Sequence, residues 1–174
     1  MPEPTTTTTA AEPFILFELA GTTYALRANA IQQMEMVENV TPVPNAPPFV
    51  EGVVYSRGQV IPAINLRVRL GFPRQAFGIQ TRLIVVRHDG RTIGLIVDSC
   101  RDFISMPAGA IVPPPEAVTG LSGQYLEGIA RLGQRTVLAL DLGQLLNLTE
   151  TLPVPANPRP THVRDHQPAP LIAA

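Results

Sequence analysis

Few residues of this 174-residue chain have the types and spacing that catalysis requires. Asp98 and Asp102 are four residues apart in a strand-like stretch, and paired carboxylates can do acid–base work. One Asp at a strand end and one facing solvent is the simpler interpretation. The single cysteine, Cys100, has no base near it in the sequence, and a buried packing role is predicted for it. The sequence therefore favours a binding protein without enzymatic activity.

The histidines do not form a metal-binding pattern. His88 precedes an Asp-Gly turn, and the other two, His162 and His166, fall in a Pro-rich tail. No two of them share a strand face or an i, i+4 helical spacing, which is the arrangement that commonly holds a metal ion. No metal and no cofactor are predicted.

The charge of the chain disfavours nucleic acid as a partner. All 13 basic residues are arginines, against 14 acidic residues, and aromatic residues make up 5% of the chain with no Trp. Nucleic-acid binding requires a basic face and usually stacking aromatics. The one basic cluster, Arg67, Arg69 and Arg74, is predicted to be a solvated face.

Two stretches of the chain, 49–70 and 125–146, are copies of one another. Glu-Gly-Val at 51–53 matches Glu-Gly-Ile at 127–129 with an offset of 76 residues, and Ala-Ile-Asn-Leu at 63–66 matches Ala-Leu-Asp-Leu at 139–142. A period that long, present only twice, indicates a duplicated subdomain. The loop glycines Gly58 and Gly133 lie one residue out of this register, which predicts that one hairpin loop is a residue shorter.

A second, weaker repeat precedes each copy, because 14–26 and 82–97 both read as strand, turn and strand. Each half of the chain is then a hairpin, a further strand, a loop, another hairpin and a closing helical turn. About five short, twisted strands close most easily as a small barrel. The predicted fold is all-β with short helices, as two small barrels packed side by side.

The ends of the chain differ in composition from its middle. Residues 1–12 lack bulky apolar side chains and 151–174 are Pro-rich, so both are predicted to be disordered tails flanking a folded domain at 13–150. The barrel halves are placed at roughly 13–75 and 76–150, with some strand exchange between them. No long apolar run and no secretory signal are seen, which predicts a cytoplasmic protein without a membrane-inserted segment.

At this point several motifs carry a family resemblance. The Gly-Val-x-x-x-Arg-Gly-x-x-x-Pro-x-x-x-Leu-Arg pattern at 52–67, the Ile-Gly-Leu-Ile-Val-Asp strand at 93–98 and the Tyr-Leu-x-Gly block at 125–128 resemble the CheW family of bacterial chemosensory adaptors. The resemblance runs from about residue 14 to residue 148. It implies two SH3-like five-stranded barrels. It also implies a non-catalytic role in coupling the cytoplasmic tip of methyl-accepting receptors to the regulatory domain of the histidine kinase CheA, within membrane-bound receptor arrays.

The resemblance implies that Ile31, Arg57 and Phe103 lie on the receptor-facing surface. Gln33, at the position of the family's acidic partner, and Met34, as an adaptable apolar lining, are predicted to join them. A receptor tip is a pair of amphipathic helices, and such a ligand requires an aliphatic groove with an orienting polar group. Arg57 matches the family residue that orders this surface together with a neighbouring carboxylate. Here the matching acidic position is Gln33, and Glu35 on the same strand face is the candidate substitute. The family turn Asn-Leu-Arg-Gly is Tyr-Ser-Arg-Gly at 55–58.

The kinase contact is placed by the resemblance at Gly52 and Val53. A glycine at the start of a strand usually marks a bend or a close backbone approach, so a side chain added at Gly52 is expected to impair either folding or kinase binding. Weak self-association in array rings is a further expectation, since a repeat presents similar faces at both ends.

Two alternatives to flagellar chemotaxis remain at the level of the sequence. One is an adaptor of the same family that serves a type IV pilus or a cyclic-di-nucleotide pathway. The other is an enzyme with a site between the barrels, built from His88, Asp98 and Asp141.

Overall fold

The computed structural model describes residues 10–118 and 123–148, so residues 1–9 of the predicted N-terminal tail and the whole predicted C-terminal tail, 151–174, lie outside the described residues. No helix among the described residues is long and apolar enough to cross a membrane. The described strands are β1 (Ala11–Leu19), β2 (Thr22–Arg27), β3 (Ile31–Met36), β4 (Val50–Ser56), β5 (Gln59–Asn65), β6 (Arg82–His88), β7 (Arg91–Val97), β8 (Ser99–Pro107), β9 (Leu126–Leu132) and β10 (Arg135–Leu140). The helices are α1 (Leu66–Arg69) and α2 (Leu142–Leu145).

The first strand begins inside the segment predicted to be a tail. Ala11 and Glu12 belong to β1, where they pair with β8. The side chain of Glu12 forms an ion pair with Arg27 at the end of β2. Composition alone missed these two residues because their order comes from a strand and a charge that are distant in sequence.

The order of elements repeats as the sequence predicts. A hairpin, a single strand, a second hairpin and a helical turn occur as β1 to α1 and again as β6 to α2. The two helices begin at matching N-cap residues: Asn65 accepts a hydrogen bond from the Val68 amide, and Asp141 accepts one from the Gln144 amide. Side-chain acceptors at this position satisfy an amide of the first turn. The Ala-Ile-Asn-Leu and Ala-Leu-Asp-Leu repeats are therefore strand ends followed by helix caps.

The two five-stranded sheets exchange hairpins between the halves of the chain. The first sheet has the order β8-β1-β2-β10-β9, and the second has the order β3-β6-β7-β5-β4. The hairpin β1–β2 of the first half therefore lies in the sheet formed by β8, β9 and β10 of the second half, and the parallel pair β2–β10 joins them. Likewise, the hairpin β6–β7 of the second half lies in the sheet formed by β3, β4 and β5, joined by the parallel pair β5–β7. A boundary at residue 75 does not separate the sheets. The all-β, double-barrel fold class is confirmed.

Each sheet is closed by the segment that follows its single strand. Thr41, beyond β3, forms an antiparallel bridge with Val53 of β4, and Val112, beyond β8, forms the equivalent bridge with Ile129 of β9. Because β3 and β4 are opposite edges of one sheet, this bridge brings the two edges together. Closure removes exposed edges that would otherwise pair with other chains.

Buried side chains form three clusters. One lies inside each barrel, with Leu16, Met106 and Val137 in the first and Leu83, Val85 and Ile96 in the second. The largest lies between the sheets and includes residues of both, such as Phe17 and Ile84. Successive residues of β1 and β6 therefore enter different clusters, because side chains alternate across a strand.

The equal length of the β4–β5 and β9–β10 loops corrects the prediction that one is a residue shorter. Ser56 pairs with Gln59 and Leu132 pairs with Arg135, so both loops contain two residues. The first loop is Arg57-Gly58, with φ of 44° and 81°, whereas in the second Gly133, with φ of 60°, comes first. Two-residue hairpin loops need positive φ either at both positions or at the first. The two loops therefore have the same length and differ in whether glycine is the first or the second loop residue.

Arg69 is buried between the barrels, which corrects its assignment to a solvated face. Its guanidinium carbon lies 4.7 Å from the ring centroid of Phe49 and 4.9 Å from that of Tyr125. Its Nε donates to the Leu145 carbonyl at 3.0 Å and its Nη2 to the Asn147 carbonyl at 2.9 Å. Phe49 and Tyr125 are equivalent in the repeat, so one arginine joins matching aromatic residues of the two halves.

The other two arginines of that cluster are also engaged. Arg67 forms an ion pair with Asp98, and Arg74 forms one with Glu51. The three side chains therefore do not present a common basic surface.

Candidate partner-binding surface

The side chains of β3 alternate between two environments. Ile31, Gln33 and Glu35 are half-buried, while Met34 and Met36 are exposed. Ile31 packs against the cluster between the barrels. Of the β3 residues predicted to contact a partner, Met34 is the apolar one that the structure leaves open to solvent.

The β4–β5 hairpin ends in an exposed apolar pair on either side of Arg57. We define the hairpin tip as residues 55–60. Tyr55 and Val60 are directly paired across the two strands and are 75% and 66% exposed. Directly opposite residues on a sheet face have adjacent side chains. A guanidinium and two apolar side chains are thus presented on one tip.

The backbone of Arg57 has a conformation that arginine rarely adopts. Its φ of 44° is in the left-handed region, which costs an L-residue other than glycine roughly 1–2 kcal/mol and which Asn tolerates better. Among the described residues, the exposed Arg57 side chain has no hydrogen-bond or ion-pair partner. The two-residue hairpin loop requires this conformation, which also occurs at Ala20 in the β1–β2 loop and at Asp89 in the β6–β7 loop.

Glu35 does not act as an ion-pair partner for Arg57. Its Oε1 accepts a hydrogen bond from Ser56 Oγ at 2.8 Å and another from Gln33 Nε2, which also donates to Ser56 Oγ at 2.6 Å. We call Gln33, Glu35 and Ser56 the polar bridge. It joins β3 to the residue that precedes Arg57. The expectation that Glu35 would replace the missing carboxylate is therefore not met by the geometry.

Two depressions lie on this side of the chain: one of about 380 Å³ is lined by Glu51 and residues 74–77, and the other connects β3 with the hairpin tip. This second depression has a volume of about 320 Å³ and includes Glu35 and Met36 from β3 and Tyr55 from β4. The exposed methionine and the exposed tyrosine therefore border one concave surface. Methionine adapts readily to irregular apolar partners, and Tyr supplies a large rigid contact area.

Phe103 is exposed but belongs to the other sheet. It lies on β8, is 67% exposed and pairs through its backbone with Ile15 of β1. The structure thus brings Gln33, Met34 and Arg57 to one sheet and places Phe103 on the sheet that contains neither β3 nor β4.

Gly52 lies beneath the segment that closes the second sheet. A Cβ at this position would be 2.1 Å from the carbonyl oxygen of Thr41. Thr41 exchanges two backbone hydrogen bonds with Val53, each of 2.9 Å. Gly128, the repeat equivalent, is covered in the same way by Val112, whose carbonyl oxygen would be 2.5 Å from a Cβ. Neither glycine position has room for a side chain, because a neighbouring backbone segment lies too close. Of the two residues predicted to contact the kinase, Gly52 and Val53, only Val53 offers a half-exposed side chain.

The residues of the enzymatic alternative are engaged in local structure. Asp98 accepts a hydrogen bond from the Ala20 amide and pairs with Arg67, and Asp141 caps α2. His88 Nε2 lies 3.3 Å from Oδ2 of its neighbour Asp89. The cavity that contains Asp98 is lined by neither His88 nor Asp141. In the described parts of the chain, no three His, Cys, Asp or Glu residues are grouped to hold a metal ion.

The thiol of Cys100 is not activated. Burial raises its pKa to about 11, and its Sγ lies 3.3 Å from the Leu16 carbonyl. The thiolate is the nucleophilic form, so the folded protein holds this group in its unreactive state at neutral pH.

This shift predicts a pH dependence of stability. Between the ordinary pKa of 9.0 and about 11, the unfolded chain loses the thiol proton while the folded chain keeps it. The contribution of Cys100 to stability is therefore complete below pH 9 and is lost as the pH rises to about 11. Alkylation with iodoacetamide as a function of pH checks the shift: the folded protein should react more slowly than the urea-unfolded chain at pH 9. Equal rates would contradict it.

The fold and the exposed hairpin tip describe a double-barrel binding protein, and comparison with known proteins agrees. The CheW-like domain family matches residues 13–150. The chemotaxis protein CheW of Klebsiella aerogenes is 32% identical over 142 residues, which cover 82% of this chain and 86% of that protein. CheW of Bacillus subtilis is 30% identical, covering 78% of this chain and 87% of that protein. The chain belongs to the CheW-like family of chemotaxis adaptors.

Structural comparison gives the same result. The crystal structure of the scaffolding protein TtCheW from Thermoanaerobacter tengcongensis superimposes with a TM-score of 0.74 at 29% identity, covering 80% of this chain and 94% of that one. Protein FrzA of Myxococcus xanthus is also similar, at 24% identity over 78% of this chain and 85% of its own length.

Sequence reasoning found Arg57 but missed three of its neighbours. Tyr55 and Val60 carried a signal, because each is an apolar residue at the solvent-facing position of a strand pair that flanks the turn. In the sequence, Ser56 differs from the residue of the family turn, but nothing near it indicates its contacts. Its role depends on Gln33 and Glu35, which lie more than 20 residues earlier.

Proposed function

We propose that this protein is a non-catalytic adaptor that couples methyl-accepting receptors to a CheA-type histidine kinase. It acts in the cytoplasm at membrane-bound receptor arrays, and weak self-association in array rings is part of the proposal. Membership of the CheW-like family and the likeness to a scaffolding protein support the adaptor role.

The observation that carries the receptor contact is the hairpin tip. Arg57 has an unfavourable φ and lacks a partner among the described residues, while Tyr55 and Val60 beside it are exposed. A cation flanked by apolar side chains fits an amphipathic helix, which offers an apolar stripe bordered by charged residues. Met34 and Met36 extend the apolar part of this surface. Ile31, Gln33 and Phe103 complete the proposed receptor contact.

The kinase contact is proposed at Val53, with Gly52 providing the backbone conformation beneath the Thr41 segment. Val53→Arg keeps both backbone hydrogen bonds with Thr41 and places a charge on this half-exposed face. Loss of CheA binding by a folded Val53→Arg variant would support the assignment. Unchanged binding would contradict it.

The adaptor role is tested by titrating the purified chain with the CheA regulatory domain and, separately, with a helical-hairpin fragment of a receptor tip from the same host. Binding to both is expected. Failure to bind either partner would contradict the proposal.

The Arg57→Asn substitution separates the folding role of this residue from its binding role. Asn accepts positive φ, so we expect the variant to gain about 0.5–1 kcal/mol in the free energy of unfolding. We also expect the affinity for the receptor fragment to fall about tenfold, because a charge-assisted contact is lost. Urea denaturation followed by circular dichroism and a binding titration at two salt concentrations measure the two effects.

The matched control is Ala20→Asn. Ala20 occupies the first position of the β1–β2 turn with φ of 50°, and Gly21 follows it with φ of 79°, as Gly58 follows Arg57. This variant should gain similar stability and bind the receptor fragment as the wild type does. Equal affinity of Arg57→Asn and the wild type would remove Arg57 from the proposed contact.

A second candidate function is an adaptor of the same family in a non-flagellar pathway, such as pilus or cyclic-di-nucleotide control. The similarity to FrzA and the residues of the hairpin tip that differ from the family turn support this second candidate. Titration against the receptor tips of each chemosensory system in the host would distinguish the two.

A further inference from the structure

The polar bridge connects strands that do not pair through their backbones. In the order β3-β6-β7-β5-β4, β3 and β4 are opposite edges of the second sheet. Among the described residues, the hydrogen bonds that join these two strands are those of Ser56 with Gln33 and with Glu35. The Thr41–Val53 bridge closes the sheet three residues earlier along β4. Ser56 therefore closes the end of β4 from which the hairpin tip projects.

The chemistry of Ser56 suits this position. Its side chain is only 6% exposed, and its hydroxyl both accepts from Gln33 Nε2 and donates to Glu35 Oε1. A buried hydroxyl with both functions satisfied holds its strand in one orientation, since breaking either bond leaves a buried polar group unpaired. Gln33 Oε1 is buried without a hydrogen-bond partner among the described residues, so the amide of Gln33 contributes to the network through its Nε2 alone.

Two consequences for the hairpin tip follow. Ser56 precedes Arg57 directly, so its anchoring to β3 holds the turn backbone from which the Arg57 side chain extends. Ser56 and Gln33 also hold Oε1 of the Glu35 carboxylate on β3, and no ion pair joins Glu35 to Arg57 among the described residues. The polar bridge therefore both orients Arg57 and keeps it available.

We infer that Ser56 is a positioning residue for partner binding: through Gln33 and Glu35 it holds the hairpin tip so that Arg57 faces a partner and not the protein's own carboxylate. This inference rests on the proposed receptor contact. It identifies the polar bridge as a determinant of which receptor is bound, since two of its three residues, Gln33 and Ser56, stand at positions where the chain departs from the family motif.

Ser56→Ala is the direct test, and Ser99→Ala is its matched control. Ser99 is 5% exposed and its Oγ donates to Glu18 Oε2 at 3.2 Å, so it makes a serine–glutamate bond that is part-buried, as that of Ser56 is, away from the hairpin tip. Both variants should lower the urea midpoint of unfolding. Only Ser56→Ala should weaken binding to the receptor fragment, by about fivefold for a lost hydrogen bond of ordinary strength.

A double variant tests whether Ser56 acts through Arg57. In the Arg57→Asn background, Ser56→Ala should cause no further loss of affinity, whereas a merely structural role would lower affinity equally in both backgrounds. A full fivefold effect in the Arg57→Asn background would overturn the inference. So would an equal loss of affinity in Ser99→Ala.

Amide hydrogen exchange separates this inference from the proposed function. Exchange at Arg57 and Gly58 should accelerate in Ser56→Ala and remain unchanged in Ser99→Ala. If the wild type binds no receptor fragment, the proposed function fails, while faster exchange at the turn still supports the positioning role. Unchanged exchange at both amides in Ser56→Ala overturns the inference whatever the binding result.

Discussion

Gly52→Ala is expected to lower the free energy of unfolding by about 3–5 kcal/mol, since it forces a methyl group into a closed backbone contact. The added Cβ would be 2.1 Å from the Thr41 carbonyl oxygen and 2.7 Å from its carbon. Thr41 can retreat only by breaking its two hydrogen bonds to Val53. The substitution therefore opens the segment that closes the second sheet. Urea denaturation followed by circular dichroism suits this chain, which has no Trp.

The control for this effect is Gly78→Ala, because Gly78 has no atom within 4 Å of its potential Cβ and no positive φ. The free energy of unfolding of the Gly78→Ala variant should differ from that of the wild type by less than about 0.5 kcal/mol. Gly128→Ala should resemble Gly52→Ala, since its Cβ would approach Ile111 and Val112 to 2.4 Å and 2.5 Å. A folded Gly52→Ala of wild-type stability would contradict the close approach seen here. The expected loss also makes a Gly52 substitution unsuitable as a probe of kinase binding.

Arg69→Ala is expected to destabilise the protein by about 3–5 kcal/mol, because a buried cation with several partners is removed. The variant leaves the Leu145 carbonyl without the Nε donor and separates the Phe49 and Tyr125 rings by an empty space. Both barrels contribute to this site, so their packing against each other should weaken. A urea denaturation curve measures the loss.

Arg69→Lys should give an intermediate loss, since an ammonium group keeps the charge but cannot lie flat between two rings while donating to two separate carbonyls. Arg91→Ala is the control: Arg91 is exposed at the start of β7 and has no partner among the described residues. It should change the stability by less than about 0.5 kcal/mol. An Arg69→Ala loss as small as that of Arg91→Ala would show that Arg69 does not join the barrels.

Local pattern was sufficient to predict the elements. Hairpins and helical turns depend on residues close together in the chain, so the two repeats identified the strands and both closing helical turns, although not the equal length of the β4–β5 and β9–β10 loops. The structure adds that Asn65 and Asp141, at matching positions of the repeat, are the N-caps of the two helices. The resemblance to the CheW family, carried by motifs between residues 52 and 128, also came from the sequence and is confirmed by the family match.

Strand partnership required the tertiary structure. The sequence repeat is equally compatible with hairpins that stay in their own half and with hairpins that are exchanged, because both arrangements use the same strands. The parallel pairs β2–β10 and β5–β7 show that the hairpins are exchanged. The burial of Arg69 also required the tertiary structure, since its site is formed by Phe49 and Tyr125 from opposite halves of the chain.

The hairpin tip shows the same division. Its turn and its arginine could be predicted from four consecutive residues, Tyr-Ser-Arg-Gly at 55–58. What could not be predicted is that Ser56, and not Arg57, takes the Glu35 carboxylate. That outcome depends on two sheet edges more than 20 residues apart in sequence meeting when the barrel closes. The sequence by itself determined the local elements and the family, and only the tertiary structure decided which side chains are engaged, because those contacts form across strands with no local relation.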